Sequence, residues 1–107
     1  MVLLRITYRL RAHHLSQFDK IFADEIMPLI REHGLQFTGI WRTVVGQVGE
    51  YMELWEFDSV ADFDERWRAL IGDARLQLIF ERTGPLVENE QWSLMESALP
   101  PESKDAG

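Results

Sequence analysis

Glu53 has an aromatic residue two positions away on each side, Tyr51 and Trp55, in the run GEYMELWEF from Gly49 to Phe57. In an extended strand those three side chains share one face. A carboxylate between rings is poorly hydrated, which raises its pKa toward neutrality and suits it to serve as a general acid or base. The competing assignment is a structural ion pair with Arg5, Arg42 or a cation of a second chain. On strand parity Arg5 and Thr7 can share the face of Glu53 from a neighbouring strand. Glu53 and Arg5 are therefore the candidate catalytic pair. Trp41, Trp55 and Tyr51 are candidate walls for a flat or apolar ligand, with Arg42 as a second anion partner; for the tryptophans buried core is the favoured role, and in a barrel both roles can hold at once. Tyr8 shares its parity with Leu4 and Ile6, which favours packing beneath a helix over donation to a ligand.

Other reactive types are less promising. His13 and His14 are adjacent, so at most one can join a given site, and helical metal pairs need a spacing of three or four. His33 ends a helical pattern, where an imidazolium suits the helix dipole. The acidic run DSVADFDERW reads as a helix start with carboxylates at its positive end, not as a calcium loop. The chain holds no cysteine, phosphate-binding glycine loop, nucleophile elbow or zinc-protease signature. A haem site would need an axial ligand, and the three histidines sit at helix ends. Neither cofactor nor metal is expected.

At 107 residues, with 46% hydrophobic and 27% charged side chains, the chain suits one globular domain. Its net charge of −7 argues against a nucleic-acid binder and against adhesion to anionic lipid. No apolar run approaches the roughly 18 residues of a membrane span, and the N-terminus lacks a leader pattern. The expectation is a cytoplasmic protein.

The elements that must position these residues follow from periodicity. VLLRITYRL, residues 2–10, is a strand. Leu15, Phe18, Phe22, Ile26, Leu29 and Ile30 recur at helical spacing from about His14 to His33, with Pro28 as an expected kink and Gly34 as the stop. Residues 36–45 form a second strand, and GQVG at 46–49 turns it into the strand that carries Glu53. Ser59 and Asp62 fit a capping box ahead of a second helix. Gly72-Asp73 interrupts that helix, and Gly84-Pro85 ends its continuation. LVENEQWSLMES is the last strand. Residues 1–98 make the domain and 99–107 a C-terminal tail.

The order βαββαβ implies a ferredoxin-like α+β fold, a four-stranded antiparallel sheet with both helices on one face. The other face is then bare. If it carries Tyr51, Trp55 and Trp41, the exposed area exceeds what a monomer usually shows, and at roughly 25 cal/mol per Å² its burial favours a homodimer.

Read together, TYRL, MPLIREHG, GIWRTVVG and LWEFDS, in this order and spacing, make the chain resemble the NIPSNAP family within the dimeric α/β barrel superfamily. The resemblance spans about residues 1–97. It implies a homodimer whose two sheets close into one barrel with a cavity in each half, and Tyr8 falls on the family's tyrosine. Where the family commonly has arginine before that TY, this chain has Ile6, and where relatives often have histidine it has Glu53. The resemblance implies little chemistry: most bacterial members have no assigned reaction, while neighbouring families include cofactor-free monooxygenases and isomerases. Two functions stay open. One is a homodimeric barrel that binds a small apolar or aromatic metabolite, with cofactor-independent proton transfer or monooxygenation if it is an enzyme. The other is a non-catalytic interaction or stress-response module with a filled barrel.

Overall fold

The computed structural model of the chain describes residues 1–99; of the expected tail, everything from residue 100 on lies outside the described residues. β1 (Val2–Arg9) buries Val2, Leu4, Ile6 and Tyr8 on one face, as its alternation dictates. After a 3-10 turn at Ala12–His14 comes a long helix in three parts: α1 (Leu15–Ile21), a π turn (Phe22–Ile26) and α2 (Met27–Glu32). The expected kink at Pro28 takes the form of this π turn. Proline offers no N–H to the carbonyl four residues back and its ring crowds that carbonyl, and the wider register just before it absorbs both defects. Phe18, Ile21, Phe22, Ile26, Leu29 and Ile30 form the buried stripe. Gly34, at φ +68°, ends the helix, and Leu35 N–H returns to the Ile30 carbonyl at 3.2 Å.

β2 (Gln36–Arg42) stops three residues short of the expected end, and residues 43–49 loop into β3 (Glu50–Phe57). Gly49 is required at that entry: it has φ +94°, and a Cβ there would lie 2.1 Å from the Leu10 carbonyl oxygen. The close approach lets the Leu10 N–H donate to the Gly49 carbonyl at 2.8 Å, tying the hairpin to the end of β1. α3 (Val60–Ile71) begins with the Ser59 hydroxyl accepting from Asp62 N–H at 3.0 Å. The carboxylate half of the expected capping box reaches one residue further back, accepting from Asp58 N–H. Asp73 caps α4 (Ala74–Thr83), a 3-10 turn (Gly84–Leu86) follows, and β4 (Glu88–Glu96) closes the chain. No helix among the described residues is long and apolar enough to cross a membrane.

The strands lie in the order β2-β3-β1-β4, every neighbouring pair antiparallel. This is the ferredoxin-like α+β sheet that the element order implies, with β1 and β3 central. One expectation is corrected. Leu4 pairs with Trp55, Ile6 with Glu53 and Tyr8 with Tyr51, so Tyr51, Glu53, Trp55 and Phe57 lie on the face that the helices cover. They do not belong to the bare face. The physical reason is volume: the large rings of β3 fill the sheet–helix layer against Phe18, Phe37 and Trp67. The bare face instead carries Leu3, Arg5, Thr7 and Arg9 beside Glu56, Leu54, Met52 and Glu50.

A bulge in β2 splits the tryptophans. The register shifts between Phe37 and Gly39, so Phe37, Ile40 and Arg42 share the helix face while Trp41 pairs with Met52 on the bare one. The indole of Trp41 lies over Gly39, where an added Cβ would come within 2.8 Å of the ring.

Candidate functional site

Glu53 is only 7% exposed. Both carboxylate oxygens are occupied: the Tyr8 hydroxyl donates to Oε2 and the Trp55 indole N–H donates to Oε1 at 3.0 Å. Neither donor is charged, and Glu53 forms no ion pair among the described residues. Burial therefore prevails over the two hydrogen bonds and pushes the carboxyl up to about pKa 7, assisted by the negative charge of Glu90. Tyr8 is held firmly neutral, by burial and then by the charge of Glu53. Its ring stacks on Tyr51 with centroids 5.5 Å apart and meets the edge of Phe18 at 5.6 Å.

A cavity of about 90 Å³ lies between sheet and helices with Glu53 in its wall. Ile6, Tyr8 and Trp55 come from the sheet, Phe18, Phe22 and Ile26 from the first helix, and Trp67, Leu70, Ile71, Leu76, Phe80 and Thr83 from α3 and α4. Val87 and, from β4, Glu90 and Trp92 complete it. Trp67 and Trp92 meet edge-to-face at 5.2 Å, and Trp92 is nearly half exposed. Both tryptophans, with Ile71, also line an open outer cleft beside Arg68 and Gln77. Trp67, Ile71 and Trp92 are thus shared between the cavity and that cleft.

A larger depression of about 420 Å³ sits at the β2 edge, lined by Asp19, Trp41, Arg42, Val44 and Tyr51 among others. There Arg42 pairs with Asp19, and the Tyr51 hydroxyl donates to Asp19 at 2.5 Å. Its charged groups are already paired and nearly half exposed, which leaves them in near-aqueous dielectric. The smaller cavity is the better candidate because its carboxylate is dry.

The geometry brings Glu53, Tyr8, Trp55 and the ring of Tyr51 together on one side of the sheet. It does not bring Arg5 to them. Arg5 pairs in register with Leu54 and points to the opposite, bare face, so the Glu53–Arg5 pair is corrected: the offset between Arg5 and Ile6 is a change of face. Trp41 is likewise on the bare face, and Arg42 is bound to Asp19 and not to Glu53. His33 meets Asp73 at 2.9 Å, a contact between helix ends. No group of histidines and carboxylates among the described residues is arranged to hold a metal ion.

Sequence reasoning missed Glu90, Trp92 and Thr83. A signal for the first two was present. Glu-x-Trp occurs three times, as ELW at 53–55, ERW at 65–67 and EQW at 90–92, and in the two copies that lie on strands the indole donates to the carboxylate two residues earlier.

Comparison with known proteins agrees with this architecture. Protein Atu4242 of Agrobacterium tumefaciens is 26% identical, with 92% of this chain and 94% of that one aligned at a TM-score of 0.84. A NIPSNAP domain protein of Burkholderia xenovorans is 23% identical over 95% of this chain and 100% of its own, at a TM-score of 0.82. An antibiotic biosynthesis monooxygenase shares the fold at 9% identity and a TM-score of 0.71, covering 92% of this chain and 100% of that one. No curated protein matches the chain. The NIPSNAP family model matches residues 3–98, a span that takes in all four strands save Val2, and the chain belongs to the NIPSNAP family.

Proposed function

We propose that this protein binds a small apolar or aromatic metabolite in the cavity between sheet and helices, and that Glu53 takes up a proton there in cofactor-independent chemistry. The observation that carries the reading is a buried carboxyl without a cationic partner among the described residues, in the wall of an aromatic cavity that shares Trp67 and Trp92 with an open outer cleft. A purely structural carboxylate in that position would be expected to have an arginine or lysine beside it. A base poised near neutrality is what proton abstraction at physiological pH needs, and the hydroxyl of Tyr8 orients it. The fold shared with an antibiotic biosynthesis monooxygenase supports a pocket of this kind at the level of architecture.

The functional unit we propose is a homodimer through the bare sheet face, where Leu3, Met52 and Leu54 are only half-buried. A second reading, a filled and non-catalytic module, draws on one specific feature: 90 Å³ is small beside the roughly 300–1,000 Å³ of drug-sized ligand sites. Thermal denaturation against a panel of one-ring and two-ring aromatic compounds separates the two. A ligand at a hundredfold excess over its Kd adds about 2.7 kcal/mol to stability. A shift seen in the wild type and lost on filling the cavity with Thr83→Leu supports the binder. A panel without any shift, on protein shown to be folded, supports the filled module.

A further inference from the structure

The cavity has a charge pattern that the family resemblance does not supply. Two strands on either side of β1 each present Glu-x-Trp to the helices: Glu53 and Trp55 from β3, Glu90 and Trp92 from β4. In each copy the indole N–H donates to the carboxylate, and Trp67 meets both indoles edge-on, at 5.0 Å and 5.2 Å. The two carboxylates are near enough that the charge of Glu90 raises the pKa of Glu53. Yet among the described residues no lysine, arginine or histidine lines the cavity. Arg68, which lines the adjoining outer cleft, is engaged with Asp64 at 2.7 Å. On the far side of Tyr8, Arg42 is held by Asp19. Two acidic groups and a wall of electron-rich rings, with no cation among the described residues that line the cavity, repel an anion and attract a cation.

We propose that the ligand of this site is an arylalkylamine or a similar amine with an apolar body, its ammonium group placed between Glu53 and Glu90 and its body against the tryptophans. The proposal rests on the binding reading above and narrows it. An ammonium group supplies what the site lacks: a donor for the carboxylate lone pairs that the indoles leave free and a counter-charge for both acids. The face of a tryptophan adds a cation–π contact. Binding is linked to protonation. Near neutrality Glu53 is partly protonated in the free protein, and a cation beside it favours the ionised form, so the amine should displace a proton and bind more weakly as pH falls below about 7. Aliphatic amines, like the lysine side chain at about 10.4, stay charged over that range.

Three probes of nearly one shape test this by titration calorimetry on the full chain: 2-phenylethylamine, 2-phenylethanol and phenylacetate. At pH 8 the amine is expected to bind at least tenfold more tightly than the alcohol, and the carboxylate not measurably. Between pH 7 and pH 5.5 the affinity for the amine should fall several-fold while that for the alcohol stays level. Glu90→Gln should remove much of the amine's advantage over the alcohol; since Glu90 is exposed, the variant is expected to fold. Equal affinity for amine and alcohol, or a preference for phenylacetate, would overturn the amine assignment and leave the binding site standing. Failure of all three probes to bind folded protein would overturn the assignment and the binding reading together.

Discussion

At the scale of the residue, the state of Glu53 is a competition that burial wins. Two neutral donors favour its anion, but neither matches the hydration it loses, so its folded pKa stands at about 7 against an ordinary 4.5. The sign of the consequence is fixed. Between those values the unfolded chain has released the proton while the folded chain keeps it, so stability falls as pH rises from about 4.5 to 7 and stays level above. The amount at stake is of the order of 3 kcal/mol. Glu53→Gln should abolish this slope, because the amide can still accept from Trp55 through its oxygen while the Tyr8 hydroxyl turns to accept from its nitrogen. Urea unfolding at pH 5 and pH 8 checks it: the variant is expected to equal the wild type at low pH and exceed it at high pH. Tyr8→Phe has the opposite signature. It strips a donor from a buried carboxylate, which should cost about 1–3 kcal/mol above pH 7 and push the Glu53 titration higher. The raised pKa was legible in the sequence, since Tyr51 and Trp55 flank Glu53. Its donors were only half legible: Trp55 is two residues away, whereas Tyr8 is 45 residues distant and reaches Glu53 only once β1 and β3 are in register.

Among the elements, the order could be read from punctuation and periodicity, and the boundaries nearly so, β2 ending at Arg42 and not at residue 45; the side of the sheet that faces the helices could not. Both faces of β3 are largely apolar, Tyr51, Trp55 and Phe57 on one and Met52 and Leu54 on the other, so alternation alone does not choose between them. The decision is made by β1, where Val2, Leu4, Ile6 and Tyr8 stand against Arg5, Thr7 and Arg9, and by its register with β3. In β2 a single extra residue before Gly39 turns Trp41 away from Phe37, a bulge that composition does not announce. Local caps, by contrast, were visible from residue types. Ser59→Ala should remove the acceptor for the Asp62 N–H and cost about 1 kcal/mol. That corresponds to a melting temperature lower by roughly 4–8 °C by circular dichroism. Gly49→Ala is a harsher test. Its Cβ has no room beside the Leu10 carbonyl and its φ is left-handed, so expression of folded protein should fail or the transition should lose cooperativity.

For the whole molecule, the question is what covers the bare face. Moving the large rings beneath the helices weakens the simplest case for a partner, since Tyr51 and Trp55 need no second chain to be buried. A different set makes the case. Leu3, Met52, Leu54 and Met95 form a contiguous apolar centre on β4, β1 and β3, with Trp41 beside it on β2. Val44 and Val45 at the hairpin tip are almost fully exposed. Around that centre Arg5 and Arg9 alternate with Glu50 and Glu56, so one copy turned by a two-fold axis could set cations against carboxylates of another. A stable pair of this kind needs about 800 Å² from each partner, which is on the scale of one sheet face. Sedimentation at micromolar concentration is expected to give about twice the 12.5 kDa of the chain. Leu54→Asp places a charge at the middle of the bare face and leaves the helix-covered core intact, so it should yield a folded monomer with an unchanged far-ultraviolet spectrum. The same variant decides how the two layers are related. If the monomer retains ligand binding, the site is complete within one sheet–helix layer, as the position of Glu53 beneath the helices implies. If binding is lost with the dimer while Glu53 still titrates near neutrality, the second copy must hold the cavity in shape through β1 and β3, which carry Leu54 and Leu3 on one side and Glu53 and Tyr8 on the other.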